Sequence, residues 1–110
     1  MIQAGQIYFV QEVELGKVNY GRPCLVLRVN AMDATVCYFS TQLDLNVGPQ
    51  VMIETTDPDF PATGLSATSC IINDLVDDVP LDFFNNAKFR GDAKGEFKKR
   101  AEDWYGLPIG

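Results

Sequence analysis

Four polar residues stand at the ends of two apolar segments, and their types suit the binding of an anion. Arg22 begins one apolar run, and the next run ends in three residues with polar side chains, Ser40, Thr41 and Gln42. The planar guanidinium of an arginine can hold two oxygen atoms of a phosphate or carboxylate at once, and hydroxyl groups can donate to a third. These residue types therefore indicate a phosphate or carboxylate site.

A hairpin between two strands would bring the two sets of polar residues together. The apolar runs 23–29 (PCLVLRV) and 34–41 (ATVCYFST) flank a short segment that includes Asn30 and Asp33, both good turn residues. In an antiparallel hairpin, the start of the first strand lies beside the end of the second. We therefore expect Arg22 to lie next to the hydroxyl residues that end the second run.

A purely structural role is the alternative for these residues. Arg22 would then pair with a nearby acid, Glu12 or Glu14, as surface arginines often do. Ser40 and Thr41 would only mark the end of a strand. The residue types and their spacing are compatible with both interpretations.

The absence of histidine limits the chemistry that the remaining residues could perform. The chain contains no histidine, which excludes His-based zinc sites, Ser-His-Asp or Cys-His nucleophiles and a paired-imidazole route to RNA cleavage. Neither a P-loop nor a Rossmann fingerprint is present, so we expect neither a metal nor a cofactor. Three cysteines lie in or beside apolar runs without a C-x-x-C spacing, which is typical of reduced core residues in a cytosolic protein: Cys24, Cys37 and Cys70.

Short apolar segments rich in β-branched and aromatic residues predict strands through most of the chain. Besides the hairpin, we expect strands at 6–13, 51–54, 69–73 and 75–79. The polar segments 14–21 and 55–64 predict loops. Short strands joined by turns that contain Gly and Pro favour a mainly β fold, a small antiparallel β-barrel without open sheet edges.

The last part of the chain changes to a helical period. Asp92 could cap a C-terminal α-helix that ends at Trp104, because Phe97, Ala101 and Trp104 would fall on one face of it. A short helix is expected within 81–87. The aromatic face of the longer helix is typical of core packing, and a base-stacking platform is the alternative.

The size and charge of the chain limit the number of domains it can form and the kinds of partner it can bind. A chain of 110 residues fits one domain, 1–110, with a barrel over about 1–80 and a helical segment over about 81–110. Its formal charge is −6, but residues 1–87 carry −8 whereas residues 88–110 carry +2. The basic end could contact nucleic acid or an acidic partner, and a solvated helix is the alternative.

The apolar segments are too short to cross a bilayer. The longest uninterrupted apolar runs contain about four residues, far fewer than the 18 or more that a spanning helix needs. The N-terminus also lacks a basic stretch followed by an apolar core. We therefore expect a cytoplasmic protein that does not contact a membrane.

Five short segments follow one another along the first three quarters of the chain: GQIYFV (5–10), GRPCLVL (21–27), VCYFSTQ (36–42), VMIE (51–54) and TGLSATSCIINDLV (63–76). Their order resembles the MazF/PemK-like toxins of bacterial toxin-antitoxin modules. That family has an opening G-D-I-[YW]-x-V strand, an R-P-x-[VL]-V strand, a strand that ends in a hydroxyl-hydroxyl-Gln tripeptide, and a G-L…S-x-[VI]-L-x-D-Q segment. The resemblance covers about residues 5–79.

The resemblance implies an SH3-like β-barrel with appended helices that forms a homodimer. It also implies metal-free cleavage of single-stranded RNA, which leaves a 2′,3′-cyclic phosphate and a 5′-hydroxyl. A cognate acidic antitoxin would inhibit such a toxin by covering the RNA site.

The resemblance further implies roles for individual residues. Arg22 matches the arginine of the R-P motif and would stabilise charge on the phosphate, with proton transfer as a second role. Ser40 would orient the scissile phosphate. Asp74 is the second candidate for proton transfer, and an acid in a strand-end turn is its alternative interpretation. Three residues would support RNA binding: Lys17, Thr41 and Gln42.

The chain departs from the family pattern after the last motif. The D-Q pair of the family is Asp74-Leu75 here, and Asp77, followed by Asp78, stands where a basic residue often occurs. The loss of a cation works against RNA binding, because cations make the contacts to phosphate. The alternative function is therefore a catalytically silent SH3-like barrel that acts as a protein-binding module.

Overall fold

The protein is mainly β, with a curled antiparallel sheet, a short helix and a C-terminal helix, as the sequence predicts. The computed structural model describes residues 1–15, 18–43 and 51–109, of which 12–15, 18–20 and 74 are described by their backbone alone. The strands are β1 (Gln6–Leu15), β2 (Val18–Val29), β3 (Asp33–Ser40), β4 (Met52–Ile53), β5 (Ser69–Pro80) and β6 (Lys88–Asp92). The helices are α1 (Phe60–Thr63), α2 (Gly95–Tyr105) and a 3-10 helix (Leu81–Phe84). Within these ranges the six strands form one sheet in the order β4-β5-β3-β2-β1-β6, which curls into a half-barrel.

The predicted hairpin joins β2 to β3. The two strands are antiparallel, with Cys24 opposite Tyr38. Asn30 closes the turn, because its backbone N–H donates to the carbonyl of Asp33 at 2.8 Å and its side-chain amide donates to the Asp33 carboxylate at 2.8 Å. The hairpin prediction is therefore confirmed.

The predicted loop at 14–21 is wrong, because strands occupy most of it. β1 continues to Leu15 and β2 begins at Val18, with Glu14 opposite Asn19. Pairing between β1 and β2 provides hydrogen-bond partners for the backbone N–H and C=O groups of this polar stretch. The stretch can therefore form strands despite its polar composition.

Side chains alternate between the two faces of the sheet, and each face packs against its own core. The helix-side core, which α2 covers, includes Leu25, Leu27, Cys37, Phe39 and Phe97. The opposite core includes Val10, Cys24, Val26, Val36, Tyr38 and Phe84. Because both faces are buried, β2 and β3 have nearly continuous apolar sequences. The three cysteines are buried free thiols, as predicted.

β5 is one long strand where the sequence indicates two short ones. It pairs with β3, and the register shifts between Cys37, which faces Val76, and Phe39, which faces Ile71. The shift leaves residues 72–75 of β5 opposite the single residue between Cys37 and Phe39. This irregularity is a bulge, and it accounts for the predicted break in the strand.

The segment between β4 and β5 contains a short helix that packs against β6. The loop prediction for 55–64 is wrong over Phe60–Thr63, because these residues form α1, which packs against β6. A Cβ atom at Gly91 would collide with the carbonyl oxygen of Ala62, so this close approach requires glycine.

The cap of α2 comes from a distant segment. The carboxylate of Asp59 accepts a hydrogen bond of 3.3 Å from the backbone N–H of Phe97. Gly95 has a φ of +59°, and a Cβ atom there would collide with the Asp59 carboxylate. Asp92, the predicted cap, is the last residue of β6 instead. That prediction is wrong because the carboxylate that reaches the helix start lies far away in sequence.

The segment 81–110 is not helical throughout. The predicted short helix is confirmed as the 3-10 helix, but β6 follows it and pairs with β1. The sequence of β6, KFRGD, alternates poorly and contains glycine, so pairing with β1 stabilises a strand that local propensity disfavours. No helix in the described ranges could cross a membrane.

Candidate functional site

The register of β2 and β3 places Arg22 beside the end of β3. Cys24 pairs with Tyr38, and continuing this antiparallel register by two residues places Arg22 opposite Ser40. The guanidinium points the same way, because its Nη1 donates a hydrogen bond of 3.1 Å to the carbonyl oxygen of Phe39. The structure thus brings together the arginine and the hydroxyl end of β3, as the hairpin argument predicts.

The turn after β3 holds the hydroxyl of Ser40. Its Oγ accepts a hydrogen bond of 3.1 Å from the backbone N–H of Gln42, and the residue is only 7% exposed. A serine hydroxyl can accept one bond and still donate its own proton, so this bond fixes the oxygen without using the O–H donor. Thr41 and Gln42 are exposed beside it.

The surroundings of Arg22 are apolar on the side of the opposite core. Its partner on β1 is Val10, which is fully buried, and Cys24 and Tyr38 on the same face are buried as well. A half-buried guanidinium beside such a surface is screened less than one in water, so it attracts an anion more strongly. The end of the sheet face that carries Arg22 is therefore a favourable place for a phosphate to bind.

Some of the predicted site groups and the proposed ion-pair partners of Arg22 lie outside the described part of the structure. Asp74 lies on β5 within the bulge opposite Tyr38, but its side chain is outside the described part of the structure. Lys17 lies outside the described residues, as do the side chains of Glu12 and Glu14. Their roles stay predictions.

The acids that depart from the family pattern are engaged with side chains of β3. Asp78 Oδ1 accepts a hydrogen bond of 2.6 Å from Thr35 Oγ1. Asp77 lies near the hydroxyl of Tyr38, a residue that is 2% exposed, and raises the pKa of that hydroxyl. These contacts could not be predicted from local sequence patterns, because they depend on the register of β3 and β5. Both carboxylates therefore have a structural explanation.

Burial sets the protonation of the groups nearest the site. Burial raises the pKa of the Cys24 thiol to about 12. It also raises the pKa of the Cys70 thiol, whose residue pairs with Ser40 on the neighbouring strand. Burial also raises the pKa of Tyr38, and the nearby charge of Asp77 raises it further. These groups stay protonated near neutral pH, so neither thiol offers a thiolate nucleophile beside Arg22.

Comparisons with known proteins give no relative for this chain. No family model matches it, and neither a curated protein nor a solved structure does. The resemblance to the MazF/PemK-like toxins therefore rests on the order of the five sequence motifs, and membership of that family stays a hypothesis.

The arrangement can bind an anion and stabilise charge that develops on it. The bond to Phe39 positions the guanidinium at the edge of the sheet, and a guanidinium carries five N–H donors. The Ser40 hydroxyl adds a donor from the neighbouring strand. A phosphodiester that reached both side chains could accept hydrogen bonds from each, and donors arranged in this way stabilise a charged transition state.

Proposed function

We propose that this protein is a toxin-like endoribonuclease of a type II toxin-antitoxin module that cleaves single-stranded RNA without a metal. The observation that carries the proposal is the position of the Arg22 guanidinium, 3.1 Å from the carbonyl oxygen of Phe39 and thus next to Ser40. The order of the five sequence motifs supports the same function. The two lines of argument share the same two side chains.

The proposed reaction is an intramolecular transfer at phosphorus. The 2′-oxygen attacks phosphorus, and the bond from phosphorus to the 5′-oxygen breaks. One proton leaves the 2′-hydroxyl and one arrives at the departing 5′-oxygen, which gives a 2′,3′-cyclic phosphate and a 5′-hydroxyl. The reaction therefore needs a base, an acid and donors for the negative charge that develops on the phosphate oxygens.

Each predicted residue has a place in this reaction. Arg22 donates to the phosphate oxygens, and its guanidinium keeps its charge at any physiological pH. Ser40 donates to a further oxygen and orients the phosphate. Asp74 is the candidate base, because a carboxylate can accept the 2′-proton where a guanidinium cannot, and the protonated carboxyl that results can deliver a proton to the departing 5′-oxygen. The exposed Thr41 and Gln42 would contact the RNA, together with Lys17.

Contacts with β3 give Asp77 and Asp78 a structural role that is independent of RNA. Asp78 accepts a hydrogen bond from Thr35, and Asp77 lies near the Tyr38 hydroxyl, so the sheet accounts for their presence. Charge elsewhere favours RNA, because residues 88–110 carry a net charge of +2. A cognate acidic antitoxin and a homodimer belong to the same proposal and rest on the resemblance alone.

Expression in bacterial cells tests the proposed function. The unmodified chain should arrest growth and create RNA fragments with new 5′-hydroxyl ends, whereas Arg22→Ala should do neither. The matched control is Arg28→Ala, which removes an exposed arginine from the other end of β2 and should behave as the unmodified chain. Normal growth with no new 5′-hydroxyl ends in cells that make the unmodified protein would reject the proposal.

A second candidate function is a protein-binding barrel without catalysis. The observation that favours it is the burial of Ser40, whose oxygen already accepts a hydrogen bond from Gln42. If this function is correct, the purified chain should retain a protein partner and should leave RNA intact. Cleavage that Arg22→Ala abolishes would reject it.

A further inference from the structure

A pocket of about 590 Å³ opens beside the turn between β2 and β3. Its volume lies within the range of roughly 300–1,000 Å³ that is typical of small-molecule sites. Four of its lining residues belong to the opposite core or pack against it: Ile2, Tyr8, Leu81 and Phe84. None of its described lining residues belongs to the predicted RNA site, so the pocket is a separate feature of the fold.

Hydrogen bonds between different segments hold the walls of this pocket in place. The backbone N–H of Leu81 donates to the carbonyl of Met32 at 3.4 Å, which ties the 3-10 helix to the hairpin turn. The backbone N–H of Gln3 donates to the side-chain oxygen of Gln6 at 2.7 Å, which ties the segment before β1 to that strand. The fold itself therefore shapes the walls, as in the pre-formed pockets that bind small molecules.

The lining of the pocket favours an uncharged and largely apolar ligand. The described residues that line it have uncharged side chains, and most of these side chains are apolar. An ionised group buried among them would lose its hydration without gaining an opposite charge, which costs free energy. Val29, at the mouth of the pocket, is 38% exposed, so a ligand that covers it would remove apolar surface from water.

Two aromatic rings and a hydroxyl group specify the ligand further. Tyr8 and Phe84 lie edge to face, with their ring centroids 5.6 Å apart, and such rings pack well against another aromatic ring. The Tyr8 hydroxyl donates to Gln6 Oε1 at 2.9 Å, so its oxygen can still accept a hydrogen bond. Asn85, an exposed lining residue, adds an amide. A hydroxyl group on the ligand could donate to the Tyr8 oxygen.

We propose that the pocket lined by Tyr8, Leu81 and Phe84 binds a small, uncharged aromatic compound that carries a hydroxyl group. The ring of the ligand packs against Tyr8 and Phe84, and its hydroxyl donates to the Tyr8 oxygen. This site needs no RNA, so its occupation can be measured whether or not the protein cleaves RNA.

Titration of the full chain with benzyl alcohol, benzoate and benzylammonium at pH 7 tests the site with three probes of similar shape and different charge. Benzyl alcohol should shift the NMR signals of the Tyr8 and Phe84 rings and of the Leu81 methyl groups, with a Kd of roughly 1–10 mM. Both charged probes should bind at least roughly five-fold more weakly. Val29→Trp should weaken benzyl alcohol by a similar factor, because the added ring would occupy part of the pocket. Val76→Trp, at an exposed valine on β5, is the matched control and should bind as the unmodified chain does.

Tyr8→Phe tests the hydroxyl contact and keeps the proposal falsifiable if Val29→Trp does not fold. This variant should bind benzyl alcohol about two- to ten-fold more weakly, because it removes one hydrogen bond, and should bind anisole, which has no hydroxyl, as the unmodified chain does. The proposal is overturned if benzyl alcohol leaves the signals of the pocket unchanged or if a charged probe binds as tightly. It is also overturned if Tyr8→Phe binds benzyl alcohol undiminished, or if Val29→Trp binds it as tightly as Val76→Trp.

Discussion

Substitution of Asp78 by alanine should destabilise the protein, because this acid belongs to the sheet. In the folded protein the Thr35 hydroxyl donates a hydrogen bond of 2.6 Å to Asp78 Oδ1. The two residues face each other directly across β3 and β5. Asp78→Ala would therefore leave the hydroxyl of Thr35, which is 8% exposed, without its acceptor.

The size of the effect follows from the exposure of the two partners. A hydrogen bond to a charged group stabilises a protein by about 1.5–3 kcal/mol when it is shielded from water. Asp78 is exposed, so water competes for the carboxylate, whereas the Thr35 hydroxyl is nearly inaccessible. We expect the free energy of unfolding to fall by about 1–2 kcal/mol, and Tm to fall by about 4–8 °C for each kcal/mol lost.

Urea denaturation followed by circular dichroism at pH 7 measures this loss. Asp78→Ala, Thr35→Val and the double variant complete a double-mutant cycle, in which we expect a coupling energy of about 1 kcal/mol. Asp103→Ala is the charge-matched control, since it removes an exposed carboxylate from α2. Its free energy of unfolding should stay within about 0.5 kcal/mol of the unmodified protein.

Equal stability of Asp78→Ala and Asp103→Ala would refute this reasoning. So would a coupling energy indistinguishable from zero between Thr35 and Asp78. In either case the carboxylate at 78 would have no role in the sheet, and its negative charge would count against RNA binding.

Two further predictions concern the helix cap and the buried thiol and phenol groups of Cys24 and Tyr38. Asp59→Ala should lower the free energy of unfolding by about 1 kcal/mol, because it removes the acceptor of the Phe97 N–H; urea denaturation measures this, and an unchanged midpoint would contradict the capping role. The unfolded chain loses its thiol and phenol protons near the ordinary pKa values of 9.0 and 10.0, whereas burial raises the pKa of Cys24 to about 12 and that of Tyr38 above its ordinary value. The folded state therefore keeps protons that the unfolded state releases. The free energy of unfolding should have its full value below about pH 9 and should fall as the pH rises further. Urea curves between pH 7 and about pH 10.5 should show this fall, and Tyr38→Phe should reduce only the part above about pH 10; stability that is constant over the whole range would contradict the assignment.

The hairpin that positions Arg22 could be predicted because its determinants are local. Asn30 and Asp33 form the turn through hydrogen bonds to each other. The two runs beside them are apolar enough to predict strands. Once the turn is placed, the register brings Arg22 to the end of β3. The mainly β fold and the C-terminal helix follow from equally local patterns.

The features that sequence reasoning missed depend on contacts between distant segments. β6 is a strand because β1 pairs with it, and Asp59 caps α2 from a position 38 residues before Phe97. The roles of Asp77 and Asp78 depend on the bulge in β5, which sets which β3 residue each acid meets. Local propensity carries no information about such pairings.

Cleavage of single-stranded RNA oligonucleotides by the purified protein in a chelator tests the central claim most directly. Phosphorus-31 NMR of the products distinguishes a 2′,3′-cyclic phosphate from a linear one. We predict cyclic phosphate ends from the unmodified protein and from Arg28→Ala, and rates lower by roughly 10²–10³ for Arg22→Ala and Ser40→Ala. Intact oligonucleotides with the unmodified protein, or cleavage by Arg22→Ala at an undiminished rate, would contradict the account.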